Sequence, residues 1–140
     1  MAHNQRLIKK RDVEQIGSKM CLTLWGEEFG QKMMRNPNVE YNEGLMELGL
    51  TAWSWFERPQ LDAKTRALCI VCVLAANNLL SETKLWTIAA LNLGCTGEQI
   101  KEAVMQVAPY VGMANVHSAM LTINETVKNY RRPRHDSSTK

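Results

Sequence analysis

No stretch of this 140-residue sequence approaches the roughly 20 apolar residues that a membrane-spanning helix needs; the longest apolar run is Ala67 to Ala76. The opening Met-Ala-His-Asn-Gln-Arg lacks the apolar core of a secretory signal. Together these place the chain, as an expectation, in a reducing cytoplasm and away from membranes. No segment alternates apolar and polar residues for longer than a few positions, so no sheet is expected. Internal repeats and low-complexity segments are absent. Charge of one sign is scarce, with 17 basic and 14 acidic residues giving +3. The two basic runs, Lys9-Lys10-Arg11 and Arg131-Arg132-Pro133-Arg134, lack the interleaved aromatics of a single-strand binder, so they read as solvated ends and nucleic acid is not an expected partner.

What remains is helix. Hydrophobic residues make up 45% and charged residues 22%, which suits one globular domain. Arg6 to Ile16 reads as a short charged helix stopped by Gly17, and Met20 to Met34 as a mixed segment. Asn36-Pro37-Asn38 is a turn. The next helix presents Leu45, Met46, Leu48, Ala52, Trp53 and Phe56, and ends before Arg58-Pro59. Asp62 is placed to cap a helix over Thr65–Asn77. This helix is apolar nearly all round and is expected to be the buried centre of the fold. Ser81 to Leu93 follows, stopped by Gly94 in the left-handed cap position. Thr96-Gly97-Glu98-Gln99 is a capping box opening a further helix, which Pro109 kinks or ends. Met113 to Asn129 is the last helix. The expected architecture is an all-α, single-domain bundle of six or seven helices over residues 1–130, with a polar, mobile tail at 131–140.

Cys69-Ile70-Val71-Cys72 has the spacing of a redox or metal pair. Its apolar neighbours favour buried thiols packed as small hydrophobes, because a reactive pair needs an electropositive, partly exposed setting. No second pair stands at zinc spacing, and neither a metal nor a cofactor is expected.

The stretch Thr65-Arg66-Ala67-Leu68, Asn78, Glu82, Lys84-Leu85, Ala89 to Thr96, Glu98 to Glu102 and Gln106 resembles the carboxymuconolactone decarboxylase family, which shares a superfamily with the alkylhydroperoxidase D proteins. Arg58-Pro59-Gln60-Leu61 resembles the Arg-Pro-Gly-Leu that leads into that family's core helix. The resemblance implies an alkylhydroperoxidase D-like helical fold and a homo-oligomer, a trimer or a hexamer of dimers. The many Met, Trp and Leu residues on short helices also point to a subunit interface.

In the alkylhydroperoxidase branch, the redox cysteines and following histidine would fall at Leu79, Glu82 and Trp86, so a thiol peroxidase lacks its nucleophiles. In the decarboxylase branch, Glu82 keeps the family glutamate, while Trp86 replaces a histidine and Ser54 replaces an acidic residue. Glu82 and Trp86 are i and i+4, so they share a helix face. The resemblance implies proton-transfer chemistry with Glu82 or His117 as acid or base and Arg66 stabilising a developing anion. The substrate would be a lactone or an enolisable ring, and the outcome decarboxylation, isomerisation or cyclisation, as in a tailoring step of secondary metabolism. Trp86, Trp53, Trp55 and Asn78 are the candidate substrate-binding residues.

Each has a plainer reading. Glu82 suits a first helical turn through the macrodipole alone, Arg66 can pair with Asp62 or Glu57, His117 can serve a core or interface, and the tryptophans can be packing residues. The competing function is a non-catalytic binding or assembly protein on the same scaffold. The discriminator is whether Glu82, Arg66 and His117 converge on one pocket beside Trp86.

Overall fold

The computed structural model describes residues 10–35 and 42–131. The expected loose start, the Asn36-Pro37-Asn38 turn and all but the first residue of the expected tail lie outside them. Among the described residues the chain is all helix. It forms α1 (Lys10–Trp25), α2 (Glu27–Met34), α3 (Asn42–Ser54), a 3-10 turn (Trp55–Glu57), α4 (Ala63–Ala76), α5 (Leu80–Asn92), α6 (Gly97–Met105), α7 (Ala108–Val111) and α8 (Met113–Asn129). None of these helices is long and apolar enough to cross a membrane.

Local capping chemistry sets several boundaries where the residues predict them. The Asp62 side chain accepts from the Thr65 backbone N–H at 3.0 Å and from the Thr65 hydroxyl at 2.6 Å, opening α4. These donors favour the carboxylate and hold the Asp62 carboxyl below its usual range. Thr96 and Gln99 complete a reciprocal capping box at α6. Gly94, at φ 90°, takes the left-handed turn after α5.

Eight helices stand among the described residues, against the six or seven expected. Gly26, at φ 82°, rather than Gly17, breaks the first segment, which moves a boundary without adding a helix. Pro109 opens a separate turn, α7, instead of kinking α6, because the first helical turn tolerates a missing N–H. Gly17 lies inside α1, where α1 and α3 meet. A Cβ there would stand 2.2 Å from the Leu50 carbonyl oxygen and 2.8 Å from its Cα. Backbone cannot swing aside as a side chain can, so the clash should outweigh the gain of roughly 1 kcal/mol from replacing a helical glycine with alanine. Gly17→Ala is therefore expected to destabilise the fold by about 1–3 kcal/mol, measured as a lower urea midpoint. An unchanged midpoint would contradict the close α1–α3 crossing.

The centre of the fold also differs from expectation. α4 buries only one stripe, Ala67, Val71 and Ala75, while Cys69 is exposed and Val73 is 59% exposed. Its all-round apolar composition therefore reflects an outer face as well as an inner one. The helix that packs against α1, α4, α6 and α8 is α5. Thr83, Thr87, Ala89 and Ala90 are its buried residues, small enough for close approach. The two threonine hydroxyls donate to the carbonyls of Leu79 and Thr83, so their burial leaves no donor unmet. One core cluster lies where α4, α6 and α8 meet α5; a second joins α1 and the 3-10 turn to it, and Trp86 packs against both.

Candidate functional site

The second cluster is aromatic. The ring centroid of Trp25 lies 5.0 Å from that of Trp53 and 5.3 Å from that of Trp86, in edge-to-face pairs. Phe56 stacks on Trp86 at 6.0 Å and 20°. Edge-to-face and offset contacts are the arrangements that ring quadrupoles favour. Trp86 is thus wedged between α1 and the 3-10 turn, held from both sides. The buried Trp25 Nε1 has no hydrogen-bond acceptor in the structure.

Glu82 stands one turn before Trp86, on the same side of α5. It is exposed, not buried beside the indole. Its place in the first turn of α5 favours a negative charge there. Leu79, 47% exposed, flanks it at the helix start. Ser54, where the family resemblance puts a carboxylate, is 1% exposed, and its hydroxyl donates to the Thr51 carbonyl at 2.7 Å. It serves the end of α3. Trp53 joins the cluster from α3, whereas Trp55 is 50% exposed on the 3-10 turn. Asn78 is exposed at φ 55° between α4 and α5, a left-handed position that asparagine tolerates better than most residues. The turn itself accounts for that residue type.

Arg66 and His117 are not brought to Glu82. α4 and α5 run antiparallel, since Lys64 at the start of α4 meets Gly94 and Cys95 beyond the end of α5. Arg66 therefore sits near the opposite end of the pair, about 15 Å along the helix axis from the Ala76 end, at a rise of about 1.5 Å per residue. Its Nε donates to the Leu61 carbonyl at 2.9 Å and its Nη2 to the Arg58 carbonyl at 3.0 Å. It clamps the loop before α4 through backbone carbonyls and not through Asp62 or Glu57.

α8 runs in the same sense as α5, because Asn115 reaches Ala76 at one end and Tyr130 reaches Asn92 at the other. α8 faces the Lys84 and Ile88 side of α5, away from Trp86. His117 is exposed on the outer side of α8, opposite the buried Val116, Ala119 and Ile123, with Met113 75% and Leu121 59% exposed beside it. Of the candidate set, Trp86 and Trp53 share the aromatic cluster, both against Trp25, and Glu82 lies one turn before Trp86. The part that sequence reasoning missed is Trp25. Its signal was faint, since it ends a helix whose length was masked by the apparent stop at Gly17.

The thiols stand apart from this site. All four cysteines are free. Cys72 is half-buried with its thiol pushed up by burial first and by Cys69 second, the reverse of what a nucleophilic pair requires. Cys69 is exposed, which corrects the expectation that both thiols are buried. Cys21 is fully buried, and burial pushes its thiol up to about 11. It should resist thiol reagents at neutral pH until the protein unfolds, followed as slow labelling by mass spectrometry; labelling of Cys21 as fast as a free thiol would contradict the packing of α1. No group of three or more His, Cys, Asp or Glu residues among the described residues could hold a metal ion.

Comparison with known proteins gives the scaffold its place. The carboxymuconolactone decarboxylase family model matches residues 40–125. The chain is 31% identical to the nitrosuccinic acid decarboxylase npaB of Metarhizium robertsii, over 84% of this chain and 87% of the relative. It is 27% identical to the 4-carboxymuconolactone decarboxylase of Acinetobacter baylyi, over 80% of this chain and 84% of that protein. No solved structure matches. Both relatives are named decarboxylases, which supports an enzyme with decarboxylase-like, lyase activity. With the family model spanning most of the helical bundle, the chain belongs to the carboxymuconolactone decarboxylase family.

Proposed function

We propose that this protein removes CO2 from a small carboxylic acid whose carboxylate is attached next to an electron-accepting group, such as a nitro, carbonyl or lactone function, and that Glu82 handles the proton. The bond between the carboxylate and the rest of the substrate breaks, and its electron pair passes into the acceptor group. The Glu82 carboxyl then delivers a proton to the carbon that lost CO2 and is recharged from water. The observation that carries the reading is the placement of Glu82 one helical turn above the stacked Trp86 and Phe56. An apolar ring surface disfavours a localised carboxylate more than a dispersed anion, so it favours the direction of CO2 loss. Arg66 is a positioning residue here, fixing the loop that follows the 3-10 turn.

His117 reaches this chemistry only from a neighbouring copy. We therefore include assembly in the proposal, as a trimer or a hexamer, with the exposed Met113 and Leu121 flanking His117 covered on association. Light scattering at micromolar concentration is expected to give three or six times the 15.9 kDa chain mass. A stable monomer would remove the role for His117.

The experiment is to supply nitrosuccinic acid and 4-carboxymuconolactone, the acids that the relatives are named for, and to identify the products. CO2 release supports decarboxylation, whereas an isomer or cyclised product with the carboxylate intact would move the assignment to isomerisation or ring closure. Turnover only of larger aromatic substrates would favour a tailoring step of secondary metabolism. A second reading, a non-catalytic binding or assembly protein, draws on one specific observation: Glu82, Arg66 and His117 scatter within a single chain. Absence of turnover with every acid, together with tight binding, would favour it.

A further inference from the structure

A groove between α5 and α8, on the far side of α5 from Trp86, is used by none of the chemistry above. It encloses about 240 Å³ and is lined by Lys84 and Ile88 from α5, by Glu125, Thr126 and Asn129 from α8, and by Tyr130 and Arg131 just beyond. Pockets for drug-sized molecules run to about 300–1,000 Å³, so this one suits something smaller. Its far wall is fixed. The Tyr130 hydroxyl donates to Asn92 Oδ1 at 2.7 Å, and Asn92 Nδ2 donates to the Leu24 carbonyl at 2.6 Å. Thr126 donates its own hydroxyl proton to the Thr122 carbonyl, so its oxygen can only accept from a ligand.

The charges around the groove are not spent on one another. The ion pair found among the described residues joins Lys101 to Glu98, elsewhere on the surface. Lys84 therefore presents an ammonium, Arg131 a guanidinium with one nitrogen given to the Tyr130 carbonyl, and Glu125 a carboxylate. Two cations and one anion around a half-apolar floor match a particular chemistry. Lys84 and Arg131 can hold a carboxylate by charge-assisted hydrogen bonds, while Glu125 and Thr126 need a donor.

We propose that the α5–α8 groove is a second small-molecule site, for a short carboxylic acid that also carries a hydrogen-bond-donating group, held by Lys84 and Arg131 at the acid and by Glu125 and Thr126 at the donor. The site is separate from Glu82, and the proposal does not rest on the decarboxylase reading.

The test is calorimetric titration of the full chain with L-malate, which carries the hydroxyl donor, and with succinate, which lacks it. Saturable binding of malate at one site per chain, tighter than that of succinate, is expected. Lys84→Ala and Arg131→Ala, both at exposed positions, should each weaken malate binding about tenfold or more. Glu125→Gln should narrow the preference for malate over succinate. Glu82→Gln should leave malate binding at its wild-type value. No saturable binding up to about 10 mM would overturn the site, as would binding unmoved by the Lys84 and Arg131 variants. Binding lost in Glu82→Gln and retained in Lys84→Ala would overturn it too, by placing malate on the other side of α5.

Discussion

Glu82→Gln is expected to lower turnover by about a hundredfold or more while leaving the fold intact, because general acid–base groups contribute on the order of 10²–10⁴-fold. The amide keeps the shape and hydrogen-bonding reach of the side chain and removes only the exchangeable carboxyl proton. Glu82 is exposed, so the substitution should change stability by no more than the few tenths of a kcal/mol typical of surface positions, leaving the thermal midpoint nearly unmoved. That separation matters. A drop in rate with an unmoved midpoint assigns Glu82 to chemistry, whereas a drop in both would assign it to the start of α5. Cys69→Ser and Cys72→Ser are the matched controls and should turn over at the wild-type rate, since no thiol step is involved.

The second large effect is on stability. Trp86→Ala should cost about 3–5 kcal/mol, the range for removing a large aromatic from a packed site. Trp86 touches Trp25 and Phe56 and packs against both core clusters, so truncation leaves a void where α1, the 3-10 turn and α5 meet. For a chain of this length such a loss corresponds to a fall of roughly 10–20 °C in Tm. A fall of only a degree or two in a differential scanning measurement would mean that the aromatic cluster does not join the two cores.

This dual position of Trp86 explains how the fold and the site diverge in legibility. Features written within four residues were readable: the Asp62 cap, the Thr96–Gln99 box and the Gly94 turn all appear as the residues predict. Features that depend on another element were not. Gly17 carries the composition of a helix stop, but its role is to admit the Leu50 backbone, a contact 33 positions away in sequence. Val73 and Cys69 look like core in a one-dimensional pattern because nothing local distinguishes an inner apolar stripe from an outer one.

The same limit applies to the site. Arg66 looked like an anion holder because it matches a family arginine, yet the antiparallel pairing of α4 and α5 carries it to the end away from Glu82. His117 was legible in principle. The buried stripe of α8 runs through Val116, Ala119 and Ile123, and a helical wheel drawn on that stripe turns His117 outward.

The most direct measurement is CO2 release from one carboxylated substrate by the wild-type protein and by Glu82→Gln, followed in parallel with substrate loss. The expected result is one CO2 per substrate consumed by the wild type and no more than about a hundredth of that rate from the variant. Equal rates from the two proteins, or substrate consumed with no CO2 released, would contradict a decarboxylating site built on Glu82.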